Sequence, residues 1–210
     1  MASFTILAGG HLTPTERLRR QIAGRRVIAA DSGMAHAGPL GLEVELWVGD
    51  FDSSSPELLA RHADVERVTF PAAKAKTDTE LAVEEALARG ATDLVMVGGF
   101  GGQADHALSH LLLAVSLKQK GYGMLVTSGT EEAWPLLAGE MALDLPPGSR
   151  MSILPFSALK AISLGNVVWP LERRDVPLGS TLTLSNVALG TVDIRLEDGY
   201  AAVIVYPAEI

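Results

Sequence analysis

Glu45-Leu46-Trp47-Val48-Gly49-Asp50-Phe51-Asp52-Ser53 decides how this chain is read, because an apolar run ends in a glycine and then in carboxylates on alternate residues. Glu45 to Val48 reads as a short strand, and Gly49 lets the backbone turn as it leaves the sheet. Asp50 and Asp52 then stand in the loop beyond a strand's carboxyl end, where open α/β sheets bind their ligands. Hard oxygen donors at this spacing suit Mg²⁺, which takes one or two carboxylates and fills its other positions with water and substrate phosphates. The same residues also satisfy an Asx-type turn, since Asp and Ser are ordinary turn formers.

Working outward, a strand, a loop and a helix alternate on both sides of this stretch. Ser3 to Ala8 is an apolar run closed by Gly9-Gly10, a buried strand followed by a turn that allows close approach. Thr13-Pro14-Thr15-Glu16 predicts a scaffold helix with Thr13 as N-cap, Pro14 at the first helical position and Glu16 in the capping box, running toward Gly24. Arg26 to Ala30 is a second strand, ending in Asp31-Ser32-Gly33-Met34-Ala35-His36. Asp31 has two readings there: a ligand at a strand end like Asp50, or the N-cap of a helix that starts near Ser32.

Downstream, Ser55-Pro56-Glu57 opens a helix and Glu66 to Phe70 reads as a strand. Thr77 and Glu80 form a capping box ahead of the helix bearing Ala82, Val83, Ala86 and Leu87. Asp78 in its first turn favours the helix dipole, while Lys74 and Lys76 beside it suit a phosphate at a helix N-terminus. Asp93 to Val97 is a strand entering the glycine-dense loop Gly98-Gly99-Phe100-Gly101-Gly102-Gln103-Ala104-Asp105-His106. Gly99, Gly101 and Ala104 match a relaxed dinucleotide fingerprint, but the next strand, Tyr122 to Thr127, ends in Thr127-Ser128 where a ribose-binding acid is expected. No Gly-Lys-Ser/Thr ending makes this loop a Walker A motif. His106 and His110 share a helix face, without the Glu of an HExxH pair, and His110 is assigned to packing.

From about Thr130 the rhythm changes. Turn residues alternate with short β-type runs at Arg150 to Leu154, Ala161 to Leu164, Thr181 to Leu184, Thr191 to Leu196 and Ala201 to Tyr206. This predicts an α/β unit over residues 1–130 followed by a small all-β sandwich over residues 131–210. Trp169 lies in Val167-Val168-Trp169-Pro170-Leu171, and Ser185-Asn186 is expected to end a strand.

The 210 residues, 48% of them hydrophobic, suffice for a packed core and exclude a disordered chain. A net charge of -8 argues against a nucleic-acid surface and means that a polyphosphate would need a metal bridge. With a cysteine count of 0, disulfides, thiolate metal sites and thiol catalysis drop out together, which fits a reducing compartment. No long uninterrupted apolar segment reads as a membrane span, so a soluble cytoplasmic protein is expected.

Taken in order, Ala30-Asp31-Ser32-Gly33, Gly49-Asp50-Phe51-Asp52-Ser53, Thr77-Asp78-Thr79-Glu80-Leu81-Ala82, Gly101-Gly102 with Asp105-His106, and Leu184-Ser185-Asn186 resemble the thiamine pyrophosphokinase family over nearly the whole chain. The resemblance implies an N-terminal α/β nucleotide-binding domain with a mostly parallel sheet, a C-terminal β-sandwich that helps hold thiamine, and transfer of diphosphate from ATP to thiamine. It implies catalytic roles for Asp50, Asp52, Asp78 and Asp105, with Mg²⁺ held by Asp50, Asp52 and Asp78. ATP would be met by Asp31, Lys76, Thr77, Gly101 and Gly102, and thiamine by Trp169, Ser185 and Asn186, near the interface of a homodimer. The chain departs from many relatives at Ala75, where they carry Asp, and at Gln103, where they carry Arg. Those departures motivate one alternative, a non-catalytic protein that binds thiamine or its diphosphate; the glycine loop motivates another, a dinucleotide-dependent oxidoreductase.

Overall fold

The computed structural model describes residues 2–52, 54–71 and 75–208, so Ser53 and Lys74 lie outside the described residues. The chain is a mixed α/β protein that separates into two compact units, Met1–Leu108 with Gly121–Gly129 and Ser109–Lys120 with Thr130–Ile210.

The first unit is built on a parallel sheet. Its elements are β1 (Ala2–Leu7), α1 (Glu16–Ile22), β2 (Arg26–Ala30), a 3-10 turn (Asp31–His36) running into α2 (Ala37–Leu40), β3 (Leu46–Gly49), α3 (Pro56–Arg61), β4 (Arg67–Thr69), α4 (Asp78–Ala88), β5 (Ala91–Val97), the start of α5 (Ala104–Gln119) and β6 (Gly123–Thr127). The strand order is β6-β5-β1-β2-β3-β4, with each adjacent pair parallel. Phe4, Ile6, Leu7, Ile28, Leu46, Trp47, Leu94 and Met96 are fully buried, which is why these strands read as continuous apolar runs. From β1 the chain moves to β2 on one side, whereas β5 joins β1 on the other. The order therefore reverses between β1 and β5, and the loops at their carboxyl ends flank the crevice where such sheets take ligands.

Two helix starts match their sequence signals and two do not. Ser55 caps α3 by accepting from Leu58 N at 3.2 Å, and Thr77 caps α4 by accepting from Glu80 N at 3.2 Å. In α1 the cap is Thr15, not Thr13: Thr13 N donates to Ser128 O at 2.8 Å, and that tie delays the helix until Glu16. Nor does Asp31 cap a helix at Ser32. It is the first residue of the 3-10 turn, in the left-handed region at φ 42°, and the cap position falls on Ala30 without a side-chain bond.

The second unit is antiparallel, with β7 (Glu132–Leu143), β8 (Arg150–Pro155), β9 (Leu159–Val167), β10 (Leu171–Val176) and β11 (Asn186–Tyr206). β11 pairs with β7 from Val192 to Val205, β9 pairs with its middle, β8 pairs with both of its ends, and β10 continues from β9. The expected strands at Thr191 to Leu196 and Ala201 to Tyr206 are one strand. The ladder to β7 slips between Leu196 and Tyr200, and this irregularity is what the sequence presents as a break. Thr181 to Leu184 is a turn, not a strand, closed by Leu184 N on Thr181 O at 3.1 Å. Buried Thr183 is nonetheless fastened to β8, exchanging bonds with the Ile153 carbonyl at 2.6 Å and amide at 2.9 Å. One core, including Leu136, Met151, Ile153, Ile162, Ile194 and Val203, joins the strands.

Candidate functional site

The carboxyl ends of β2 and β3 bring three carboxylates together. Asp31, Asp50 and Asp52 each offer an oxygen within 4.8 Å of the others'. Backbone turns set this geometry. Asp31 follows β2 at φ 42°, Asp50 follows Gly49 at the end of β3, and Phe51, at φ 63°, swings the chain so that Asp52 returns toward Asp50. The Asp52 amide donates to Asp50 Oδ1 at 3.3 Å, the Asx-turn bond expected from the sequence.

Neighbouring side chains hold the strained Asp31. Buried Trp47 donates its indole N–H to the Asp31 carbonyl at 2.8 Å, and Ser54 Oγ donates to Asp31 Oδ1 at 3.2 Å. The Phe51 ring packs edge-on against Trp47 with centroids 5.1 Å apart, and the Arg67 guanidinium covers both rings at 5.0 and 5.8 Å. These contacts fix the turn that carries the carboxylates. A set of oxygen donors on half-buried and exposed carboxylates fits a hard divalent cation such as Mg²⁺, and no thiolate competes in a chain without cysteine.

Geometry thus groups Asp31 with the pair, in keeping with its reading as a strand-end ligand, whereas the resemblance names Asp78 as the third metal ligand. Asp78 is the first residue of α4 and is not among the three. Lys76, two residues before it, pairs with Glu84 at 2.5 Å on the exposed side of α4, and that bond raises its pKa. Such a surface pair is weak enough to yield to a phosphate. Gly101 and Gly102 both lie at positive φ, 79° and 69°, ahead of α5. Asp105, in the first turn of α5, accepts from the His106 amide at 2.9 Å. His110 is buried, as its packing assignment requires.

Part of the glycine loop is tied to β6. The amides of Gly98 and Gly99 both donate to Thr127 O, at 2.8 and 3.3 Å, so neither is presented to a pyrophosphate. One group here gave no sequence signal. His36, at the far end of the turn that Asp31 begins, places Nε2 at 2.9 Å from Gly10 O. Its spacing from Asp31 follows no helical or strand period, and only the fold reveals the contact. Burial lowers its pKa, opposed by hydrogen bonds to the Gly10 and Ala8 carbonyls, and because a carbonyl only accepts, Nε2 donates in the Gly10 contact.

In the second unit, Trp169 is 59% exposed while Asn186 is buried. Asn186 does not end a strand; it begins β11, after Ser185 at φ 60°. Its Oδ1 accepts from Trp169 N at 3.2 Å and Val187 N at 2.9 Å, and its Nδ2 donates to Trp169 O at 2.7 Å. The amide therefore clamps the backbone that presents the indole. Ser185 is exposed, its amide donating to Ser152 Oγ at 3.0 Å. A groove of about 740 Å³ on this unit, floored by Leu164 and Ile194, includes none of these three residues.

Residues 22–126, half of the chain, match the family described as "Thiamin pyrophosphokinase, catalytic domain". The chain is 28% identical over 145 residues to thiamine pyrophosphokinase from Bacillus subtilis, an alignment that spans 66% of this chain and 66% of that protein. The crystal structure of thiamine pyrophosphokinase from Bacillus subtilis is similar over 99% of this chain and all of that one, with a TM-score of 0.84 at 22% identity. A thiamin pyrophosphokinase family protein from Enterococcus faecalis is similar over the full length of both, with a TM-score of 0.83 at 23% identity. Among the described residues no helix is long and apolar enough to cross a membrane.

Proposed function

The chain belongs to the thiamin pyrophosphokinase family, a family of enzymes, and from that premise we propose that it transfers diphosphate from ATP to the hydroxyethyl oxygen of thiamine, releasing AMP. The observation that carries the reading is the convergence of Asp31, Asp50 and Asp52 within 4.8 Å at adjacent strand ends, inside the stretch that matches the family. In this reading residues 1–130 are the ATP-binding catalytic domain and residues 131–210 a thiamine-binding β-sandwich. The protein acts as a cytoplasmic homodimer with its site near the subunit interface, as the family resemblance implies.

Phosphoryl-type transfer rests on alignment and charge neutralisation, so the chain needs no protein nucleophile. Asp31, Asp50 and Asp52 are the residues that would hold Mg²⁺, and Asp78, at the start of α4, is the further acid that the family resemblance adds. When bound, Mg²⁺ supplies the positive charge that a polyphosphate otherwise lacks here. Lys76, Thr77, Gly101 and Gly102 receive the nucleotide, and Asp105 adds a carboxylate at the start of α5. The exposed Trp169 offers an aromatic face to the cationic thiazolium, an attraction of about 0.5–2 kcal/mol. Ser185 and Asn186 complete the thiamine side, Asn186 by fixing the Trp169 backbone.

Purified protein incubated with ATP, Mg²⁺ and thiamine should yield AMP and thiamine diphosphate in equal amounts by chromatography, without ADP. ADP with thiamine monophosphate as the main products would reject the β-phosphorus as the point of attack. Ligand binding without turnover would select the non-catalytic alternative instead.

A further inference from the structure

We infer that His36 is a positioning residue for nucleotide binding, acting by locking the glycine loop after β1 against the glycine loop after β5; the inference rests on the ATP-binding reading above. These two loops flank the point where the strand order reverses, the crevice in which an open α/β sheet takes its ligand. They are joined main chain to main chain: Gly10 N donates to Gly98 O at 2.9 Å, and His11 N donates to Phe100 O at 2.7 Å. The approach leaves no room for side chains at the junction. A Cβ on Gly10 would stand 2.2 Å from Phe100 O and 2.3 Å from Gly98 O, and one on Gly98 would stand 2.2 Å from Ala8 O and 3.0 Å from His36 Nε2.

His36 Nε2 takes the Gly10 carbonyl at 2.9 Å while lying beside Gly98, where an added Cβ would stand 3.0 Å from it. A carbonyl only accepts, so Nε2 carries the proton in this contact. The origin of His36 gives the contact its consequence. It is the last residue of the six-residue turn whose first residue is Asp31. At that first residue the turn is held by Trp47 Nε1 on the Asp31 carbonyl at 2.8 Å and by Ser54 Oγ on Oδ1 at 3.2 Å. One short turn is therefore pinned to the carboxylate cluster at one end and to the glycine crevice at the other. His36 sets the distance between the groups that hold the phosphate chain and the loops that receive the rest of a nucleotide.

The test compares His36→Ala, His36→Asn and His36→Gln with the wild type. Gln places its amide nitrogen near the Nε2 position and can donate to Gly10 O, whereas Asn is polar but too short. Calorimetry with ATP in the presence of Mg²⁺, and separately with thiamine, provides the readout, beside melting curves. The Ala and Asn variants should bind ATP about tenfold more weakly, the scale of one lost hydrogen bond to a part-buried carbonyl, and Gln should restore most of that affinity. Thiamine affinity should stay within about twofold in all of them, since a merely structural defect would not single out one ligand. Gln behaving like Ala, equal loss for both ligands, or unchanged ATP affinity in the Ala variant would each overturn the role. If His36→Ala fails to fold, the contrast between Asn and Gln decides. A wild type that binds ATP but forms no thiamine diphosphate would reject the proposed reaction and leave this role standing; one that does not bind ATP would reject both.

Discussion

The two units present their candidate site residues by opposite means. In the first, backbone turns aim the carboxylates: Asp31 and Phe51 occupy the left-handed region at φ 42° and 63°, and each such position costs about 1–3 kcal/mol that surrounding packing must offset. Trp47, Ser54 and Arg67 supply that packing. In the second, a buried side chain does the aiming, since Asn186 grips both the amide and the carbonyl of the exposed Trp169. The difference teaches where function and stability separate. A carboxylate whose charge faces outward can be neutralised with little effect on the fold, whereas the amide behind Trp169 cannot be removed without unsatisfying the backbone it holds.

The sharpest way to break this comparison is to remove the charge and keep the shape. Asp50→Asn and Asp52→Asn should each lower thiamine diphosphate formation by about a hundredfold or more, the scale of losing several kcal/mol of metal-supported charge stabilisation. Melting temperatures should move little, because Asn serves an Asx turn nearly as well as Asp. A chelator should stop the wild-type reaction and added Mg²⁺ should restore it. Near-normal turnover in both variants, or indifference to chelation, would reduce the cluster to a turn motif.

The ends of strands were the legible part of this site. Apolar runs closed by Gly or Asp located β1, β2, β3 and β5 to within a residue or two, and the apolar run before Ser128 located β6, because strands buried on both faces leave little ambiguity of period. Asp50 and Asp52 could be paired from spacing alone. Asp31 could be read as a strand-end ligand like Asp50, but local pattern left it equally a helix cap, since its place in the cluster depends on β2 lying beside β3. His36 was invisible for the same reason: its partner, Gly10, lies 26 residues away. In the second unit β7 and β10 carry no plain strand signal. Gly139 and the charged run Glu172-Arg173-Arg174-Asp175 hide the alternation that marks a half-buried strand.

A second, smaller perturbation acts on the other side of the comparison. Trp169→Ala should raise the Michaelis constant for thiamine about tenfold, from lost aromatic area and cation-π attraction, while that for ATP stays within about twofold. Because the side chain is largely exposed, the fold should tolerate the change. Equal increases for both substrates in a folded variant would end the assignment of thiamine to the second unit.

The smallest effect on activity is expected from Asn186→Ala, and it tests whether that side chain touches thiamine or only holds Trp169. Truncation leaves the Trp169 and Val187 amides without Oδ1 and the Trp169 carbonyl without Nδ2. Stability should fall by about 1–3 kcal/mol, since the amide is buried while part of the freed backbone can reach water. The Michaelis constant for thiamine should rise less than in Trp169→Ala, because a loosened indole still spends part of its time in place. Two residues acting through one contact do not add, so the double variant should be no worse toward thiamine than Trp169→Ala alone. Asn186→Asp refines the reading: it keeps the acceptor for the two amides and loses the donor to the Trp169 carbonyl, and should fall between wild type and Ala in stability. If the double variant instead lost thiamine affinity by the product of the single effects, Asn186 would have a contact of its own with the substrate. The second unit would then present its groups as the first does, each directly to its ligand.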